Sequence, residues 1–152
     1  MQTILMSADH GGANLKNALR TYLQQKGFEV IDYGPENADV LLDFPDKAME
    51  LIQGMQANPT AKGILVCTSG LGMSMAANRY SFIRGALVFN TEMAKMSREH
   101  NDANVLIFGA KFIDPEEAKK CVDIFLTTEF LGSSCERYER RLKKLTAMGG
   151  EK

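Results

Sequence analysis

Short apolar runs alternate with longer segments of mixed polarity along most of this 152-residue chain. The runs are rich in Ile, Leu, Val and Phe, and glycine or polar residues border them. Runs of this kind are typical of buried strands. The five predicted strands cover residues 4–6, 28–33, 64–67, 85–89 and 104–108.

The segments between these strands predict helices. In the first of them Leu15, Leu19 and Leu23 fall on one face at helical spacing. Asp114 and Pro115 form a strong helix start, because aspartate caps free N–H groups and proline suits the first helical position. The predicted helices cover residues 11–26, 45–57, 71–80, 91–99, a segment from 114, and 136–146. Thr91 is the predicted cap of the fourth helix. Residues 149–152 are expected to fray.

Strands that alternate with helices favour a parallel sheet covered on both faces. Right-handed crossovers restrict such a sheet to a doubly wound arrangement. We therefore expect a three-layer α/β/α sandwich, Rossmann-like or flavodoxin-like, with a five-stranded parallel sheet. The length fits one domain that spans residues 1–152.

Composition and charge exclude several classes of function. The net charge of −1 gives no electrostatic reason to bind nucleic acid or an anionic membrane. No apolar run approaches the ~20 residues that a membrane span needs. The N-terminus leads directly into a strand with no visible secretory signal. Three cysteines without paired spacing favour a reducing cytoplasm, and the absence of a CxxC motif argues against a metal site.

The chain from Cys67 to Asn78 combines a strand end, a glycine-bearing turn and a helix start. Backbone N–H groups in such a turn surround a concavity that suits an anion. The Cys67 thiol and the hydroxyls of Thr68 and Ser69 stand at its mouth, which indicates chemistry on an oxyanion. An ordinary βα turn with a buried cysteine is the alternative.

Two further groups of polar residues could contribute to the same chemistry. His10 follows Asp9 after the first predicted strand, and His100 lies in another polar cluster. Histidine is well matched to proton transfer near pH 7, although a solvated surface position is the alternative for both. Arg137 and Arg141 lie one helical turn apart and can converge on a phosphate, unless the helix is simply a solvated basic one.

Four segments together resemble the ribose-5-phosphate isomerase B and galactose-6-phosphate isomerase family, over residues 2–145. They are Asp9-His10-Gly-Gly, Cys67-Thr-Ser-Gly-Leu-Gly-Met-Ser-Met-Ala-Ala-Asn, His100-Asn-Asp-Ala-Asn-Val-Leu-Ile-Phe-Gly109 and Arg137-x-x-x-Arg141. The resemblance implies an aldose–ketose isomerase without metal or cofactor. It also implies a five-stranded Rossmann-like sandwich, a homodimer or dimer of dimers, and a phosphosugar as the bound partner.

The resemblance further implies a role for each matching residue. His100 would open the sugar ring, and Cys67 would then move hydrogen between C1 and C2, since a thiol at a helix N-terminus ionises more readily. Ser69 aligns with a family threonine that contacts ring or hydroxyl oxygens. The remaining matches are substrate-binding: the amides of Gly70, Gly72, Met73 and Ser74 for the cis-enediolate, Asp9 and Asn101 for hydroxyls, and His10, Lys111, Arg137 and Arg141 for phosphate.

Four residues depart from the family pattern. Thr68 replaces a glycine at a turn position expected to favour positive φ. Phe44 replaces a tyrosine, so a hydroxyl near the sugar is missing. Lys111 replaces an arginine and keeps the charge without the bidentate geometry. Tyr138 replaces a histidine that often follows the first arginine of the last helix.

The predicted reaction is the interconversion of ribose 5-phosphate and ribulose 5-phosphate in the pentose phosphate pathway. One alternative is isomerisation of another aldose phosphate, such as allose or galactose 6-phosphate or a tetrose phosphate. Another is a phosphosugar-binding protein without turnover, although such a protein needs neither Cys67 nor His100. Binding of a flavin or a dinucleotide is a weaker alternative, because the first βα turn lacks the G-x-G-x-x-G pattern of dinucleotide-binding proteins.

The predicted sheet also separates the two proton-transfer groups. Cys67 ends the third strand, whereas His100 lies just before the fifth, at the opposite edge of a parallel sheet. A strand of five residues is ~17 Å long, too far for both groups to act on one small sugar. We therefore expect active sites shared between two subunits, with the C-terminal helix contributing to the phosphate site or to the dimer.

Overall fold

The computed structural model describes residues 2–148. Its strands are Thr3–Ala8 (β1), Glu29–Asp32 (β2), Lys62–Cys67 (β3), Gly85–Leu87 (β4) and Val105–Gly109 (β5). Its α-helices are Ala13–Gln25 (α1), Phe44–Ala57 (α2), Leu71–Ala77 (α3), Thr91–Asn101 (α4), Pro115–Thr127 (α5) and Glu136–Met148 (α6), and the 3₁₀ turns are His10–Gly12 and Leu131–Ser133.

All five strands are parallel and follow the order β2-β1-β3-β5-β4. The chain leaves β1 for β2 on one side and returns to the other side of β1 with β3. The neighbours β1 and β3 therefore mark the switch point where ligands bind in doubly wound sheets. Strand β5 lies inside the sheet, and all of its residues are buried. Strand β4 lies at the outer side of the sheet, and its residues are half-buried.

Helices cover both faces of the sheet, as the pattern predicted. On one face α1, α4 and α5 bury their apolar residues against alternate side chains of β1, such as Ile4 and Met6. On the other face α2 and α3 pack against Leu5 and Leu65. Helix α6 lies outside these layers, where it contacts α4 and the turn Leu131–Ser133 and buries none of its residues.

Several boundaries differ from the prediction for identifiable reasons. The predicted first helix begins as a separate 3₁₀ turn, His10–Gly12, which Asp9 caps. Helix α3 ends at Ala77 rather than at residue 80. The cap of α4 is Asn90 and not Thr91, because the Asn90 side chain accepts the Met93 N–H at 2.9 Å. The predicted fraying of residues 149–152 lies outside the described residues.

The apolar periodicity of α1 missed a buried charge. Lys16 is fully buried and forms an ion pair with Asp32 at the end of β2. The Asp32 carboxylate compensates the buried ammonium group, and Arg20, which contacts the same carboxylate at 2.9 Å, also pairs with Glu36 at 2.6 Å. The pair of Lys16 and Asp32 fixes α1 to the carboxyl end of β2. Within residues 2–148, every helix is too short or too polar to cross a membrane.

Candidate active site

The turns that follow β1 and β3 are packed directly against each other at the carboxyl ends of the strands. This side of the sheet is called the carboxyl edge, and the side at which the strands begin is called the amino edge. A methyl group added at Gly12 would lie 2.3 Å from the Val66 carbonyl oxygen, and one at Gly11 would lie 2.0 Å from Thr68 Oγ1. Only glycine permits this approach. The two polar segments that the sequence singled out are therefore neighbours in the folded chain.

The Cys67 sulfur lies at the entrance to α3. The thiol side chain is 5% exposed, and the Gly70 N–H donates to Cys67 Sγ at 3.1 Å. Gly70 has a φ of +79°, a left-handed conformation that glycine adopts without strain at the cap of α3. The turn therefore holds the sulfur beside the first residues of α3.

The backbone amides at the start of α3 are not equivalent. The Ser74 N–H donates to the Gly70 carbonyl oxygen at 3.0 Å, and the Leu71 N–H donates to Ser69 Oγ at 3.3 Å. The Gly70 amide serves the sulfur and the Ser74 amide serves the helix, and the expectation that both bind an intermediate stays a prediction. Gly72 and Met73 lie in the first helical turn, where N–H groups point out of the helix end.

Thr68 occupies its turn position without backbone strain. Among residues 2–148, Asp102 is the only non-glycine residue with a positive φ, so the expected positive φ at Thr68 is wrong. Thr68 is exposed, and its carbonyl oxygen accepts the Lys111 N–H at 3.0 Å. Both residues line a cleft of about 440 Å³ together with Gly11, Asn14, Leu15, Ala110, Ile113 and Pro115.

Asp9 and His10 are held beside this cleft by backbone contacts. Asp9 is 7% exposed, and its Oδ1 accepts the Gly12 N–H at 3.1 Å. His10 Nδ1 lies 3.2 Å from the Leu42 nitrogen, which ties the turn to the loop before α2. If Nδ1 accepts that N–H, the proton of the neutral ring resides on Nε2.

Phe44 begins α2 and lies against the first turn of α3. A methyl group added at Gly72 would lie 3.0 Å from three atoms of the Phe44 ring. The ring is 37% exposed beside the turn that carries Cys67. The position at which the family carries a tyrosine hydroxyl is therefore close to the predicted reaction centre, and here it presents an apolar edge.

His100 and Asn101 end α4 at the amino edge of the sheet. The His100 ring stacks on the Tyr138 ring of α6, with centroids 4.5 Å apart and an interplanar angle of 22°. The Arg137 Cζ lies 5.3 Å from the same Tyr138 centroid. The contact with Tyr138 raises the pKa of Arg137, which therefore stays charged. Arg141 is exposed one turn further along α6.

An ion-pair network closes α4 directly after these residues. Asp102 adopts a φ of +47° and accepts from Arg98 Nη1 at 2.7 Å and from Arg84 Nη2 at 2.8 Å. Arg98 is 7% exposed and also donates to the Ala103 carbonyl oxygen at 2.6 Å. The sequence analysis missed the role of Asp102, for which its position between a helix end and a strand was the available signal.

The predicted site residues of one chain therefore form two groups, two predicted half-sites, at opposite ends of the strands. Cys67 pairs in register with Gly109 at the carboxyl end of β5, whereas His100 precedes the amino end of that strand. The length of β5 separates them by about 17 Å. Asp9, His10, Ser69, Gly70, Gly72, Met73, Ser74 and Lys111 lie on the Cys67 side, and Asn101, Arg137 and Arg141 lie on the His100 side.

The fold and these half-sites define a doubly wound α/β protein with a thiol turn, an imidazole and paired guanidinium groups suited to an anionic substrate. The family model described as Ribose/Galactose Isomerase matches residues 4–145. The probable ribose-5-phosphate isomerase B of Mycoplasma pneumoniae is 44% identical over 149 residues, which cover 98% of this chain and 96% of that protein.

Solved structures agree with the sequence relatives. Ribose 5-phosphate isomerase B from Thermotoga maritima matches with a TM-score of 0.90 and 41% identity, over 96% of this chain and 98% of that chain. The Mycoplasma genitalium enzyme with bound ribulose 5-phosphate matches with a TM-score of 0.90 and 34% identity, over 99% and 97%. The chain belongs to the ribose/galactose isomerase family, and the predicted family and fold are confirmed.

Proposed function

We propose that this protein interconverts ribose 5-phosphate and ribulose 5-phosphate through a cis-enediolate. The observation that carries this proposal is the Cys67 sulfur, which accepts an N–H at the entrance to α3 in a chain of this family. A phosphosugar-binding protein without turnover would not need a buried thiol held in this way.

The reaction begins with a closed sugar ring, which must open before hydrogen can move. His100 acts as the general acid and base for this step: it removes the proton of the C1 hydroxyl and protonates the ring oxygen. The C4–oxygen link is kept, the C1–oxygen bond of the ring breaks, and an aldehyde forms at C1. A neutral imidazole can perform both transfers near pH 7.

The Cys67 thiolate then removes the proton from C2 of the open aldose. The electron pair forms a C1–C2 double bond, and the charge moves to O1, which gives the enediolate. The amides of Gly72 and Met73 in the first turn of α3 stabilise this charge, and Ser69 contacts the hydroxyl oxygens. Transfer of a proton from O2 to O1 and return of the thiol proton to C1 give the ketose and regenerate the thiolate.

The remaining residues hold the two ends of the substrate. Asp9 and Asn101 bind sugar hydroxyls, while His10, Lys111, Arg137 and Arg141 bind the phosphate. Paired guanidinium groups one helical turn apart form charged hydrogen bonds to phosphate oxygens in a fixed geometry. The phosphate thereby orients a small substrate that offers few other contacts.

The separation of the half-sites supports a homodimer, of which a dimer of dimers is the larger alternative. In an isologous dimer His100 of one chain meets Cys67 of its partner, and the symmetry forms two complete sites. Helix α6 supports this arrangement, because it presents Arg137 and Arg141 yet buries none of its residues in its own chain. Three free cysteines also fit an enzyme of the reducing cytoplasm.

Two experiments test the proposal. In the first, purified protein is assayed with ribose 5-phosphate, allose 6-phosphate, galactose 6-phosphate and erythrose 4-phosphate. We expect the highest kcat/KM with ribose 5-phosphate, and deuterium from solvent at C1 of ribulose 5-phosphate. A higher value for a six-carbon sugar would change the substrate, and binding of all four sugars without turnover would make the protein a binder.

The second experiment tests the shared site by mixing two inactive variants. Cys67→Ala and His100→Ala subunits are exchanged, and each heterodimer then contains one site with both native groups. We expect activity to return to about half of the wild-type value per heterodimer, since one of two isologous sites is intact. A mixture that stays inactive after mass spectrometry has shown subunit exchange would contradict the dimer model.

A further inference from the structure

Helix α6 supplies more than the two arginines. Its first turn places the half-buried Tyr138 ring on the imidazole of His100, with centroids 4.5 Å apart and planes inclined by 22°. This is the geometry of a stacked aromatic pair, which is favourable beyond the apolar area that it buries. The contact joins the last turn of α4 to α6 within one chain.

The stack matters because the two histidines are held differently. His10 is fixed through Nδ1 by the backbone at Leu42, so its ring orientation follows from the fold of a loop. The contact that orients His100 is instead the face of Tyr138. Stacking leaves both nitrogens of an imidazole at the edge of the pair, where they can exchange protons with a substrate.

Tyr138 also contacts a predicted phosphate anchor, since Arg137 Cζ lies 5.3 Å from its ring centroid. In a five-membered ribose 5-phosphate ring, C4 carries the ring oxygen and is bonded to C5, which carries the phosphate. The acid and the phosphate anchor must therefore lie a fixed, short distance apart. A rigid ring in contact with both groups can set that distance.

We propose that Tyr138 is a positioning residue for ring opening, which holds the His100 imidazole in register with the phosphate bound by Arg137. The proposal rests on the proposed function. The ring face is the active feature and the hydroxyl is dispensable, so phenylalanine can replace Tyr138. Histidine, the common residue of the family at this position, also offers a flat ring.

The kinetic test separates ring opening from hydrogen transfer. Ribulose 5-phosphate cannot close a five-membered ring, because the phosphate occupies its O5, so exchange of its C1 hydrogen with D₂O needs no ring opening. We expect Tyr138→Ala to lower kcat for ribose 5-phosphate about tenfold, with KM and the exchange rate changed less than twofold. Tyr138→Phe should restore kcat, and Arg140→Ala on the same helix is the matched control.

Proton NMR tests the stack without any turnover. The chain has two histidines, so the ring protons of His10 serve as an internal reference for those of His100. We expect the His100 ring protons to move downfield in Tyr138→Ala, as the ring current is lost, and to stay in place in Tyr138→Phe and Arg140→Ala. Unchanged His100 resonances in Tyr138→Ala would overturn the stack.

The kinetic outcomes are equally decisive. Exchange that falls in parallel with kcat would overturn the positioning role, because Tyr138 would then support the site as a whole. Equal loss in Tyr138→Phe would assign the effect to the hydroxyl and would also overturn it. If the wild-type protein neither isomerises ribose 5-phosphate nor exchanges the C1 hydrogen, the proposed function fails instead, whatever the NMR result for the stack.

Discussion

The two edges of the sheet are built from different kinds of contact. At the carboxyl edge, backbone groups hold the turns: Ala110 N–H donates to the Cys67 carbonyl at 2.9 Å, and a methyl group at Gly109 would lie 2.3 Å from the Ser69 oxygen. At the amino edge, side chains hold the helix ends, through the ion pairs of Asp102 and the stacked ring of His100.

This difference matches the demands of the two predicted steps. Hydrogen transfer at carbon needs a base and amide donors at fixed positions, which rigid backbone contacts provide. Ring opening uses His100 at the end of α4, and phosphate binding uses long side chains on the exposed α6, whose geometry a partner subunit can complete. We therefore expect substitutions at the carboxyl edge to affect hydrogen transfer, and those at the amino edge to affect ring opening, phosphate binding and stability.

The largest effect should come from Cys67→Ala, because a methyl group cannot act as a carbon base. We expect turnover to fall by about three orders of magnitude or more while phosphate binding changes little. Iodoacetamide should modify Cys67 first and substrate should protect it, whereas burial raises the pKa of Cys121 to about 11 and keeps that thiol unreactive. Peptide mapping identifies the modified residue, and Cys135→Ser is the control. Near-normal turnover of the alanine variant would disprove the assigned base.

Asp102 offers the next test, on the opposite edge. Asp102→Ala removes both ion pairs, leaves the buried Arg98 short of a partner and strains a residue at φ +47°. We expect unfolding to become about 3 kcal/mol easier. Asp102→Asn should lose less, because asparagine tolerates this φ and can still accept hydrogen bonds. Thermal unfolding of the two variants measures the difference, and equal loss would show that backbone strain is unimportant.

The arginines of α6 should separate binding from turnover. Arg137→Ala and Arg141→Ala should each raise KM for ribose 5-phosphate by about one to two decades, because a charged hydrogen bond to phosphate is lost. The exposed Arg140 on the same helix gives a matched control, Arg140→Ala, that should stay near wild type. Steady-state kinetics measure the effect. Equal turnover of unphosphorylated ribose would remove the case for both arginines.

The smallest expected effect concerns Lys62 at the start of β3. Burial and, to a smaller extent, the positive charges of Arg98 and Arg84 lower the pKa of Lys62 to about 8, while Asp102 opposes this shift. The folded state therefore binds fewer protons than the unfolded state between pH 8 and the unfolded value near 10.5, so stability rises with pH across this window.

The corresponding variant is Lys62→Met, which removes the charge and keeps the length. At pH 7 it should raise Tm by on the order of 1–2 °C, and the gain should shrink as the pH rises above 8. Lys144→Met on the exposed face of α6 serves as the control. A gain that is independent of pH would assign the effect to packing against Phe125, whose ring lies 5.9 Å from the Lys62 ammonium.

The sequence predicted the carboxyl edge better than the amino edge. Local order along the chain places Cys67 and Asp9 after strands, so a parallel sheet must bring their turns to one edge. The stack of His100 on Tyr138 joins residues far apart in the chain, and no local pattern indicates it. The buried Lys16 was missed because periodicity records apolar residues and not the carboxylate that pairs with a charge.

By itself the sequence determined the number of strands, their parallel direction, the family and the residues that can carry the chemistry, because periodicity, glycine positions and motifs are local properties. Tertiary structure decided that β5 lies inside β4, that the Ser74 amide belongs to the helix and that Thr68 is unstrained. It also decided which side chains meet across the amino edge. These outcomes depend on contacts between groups that are distant in the chain. Such contacts are determined only when the distant segments pack together.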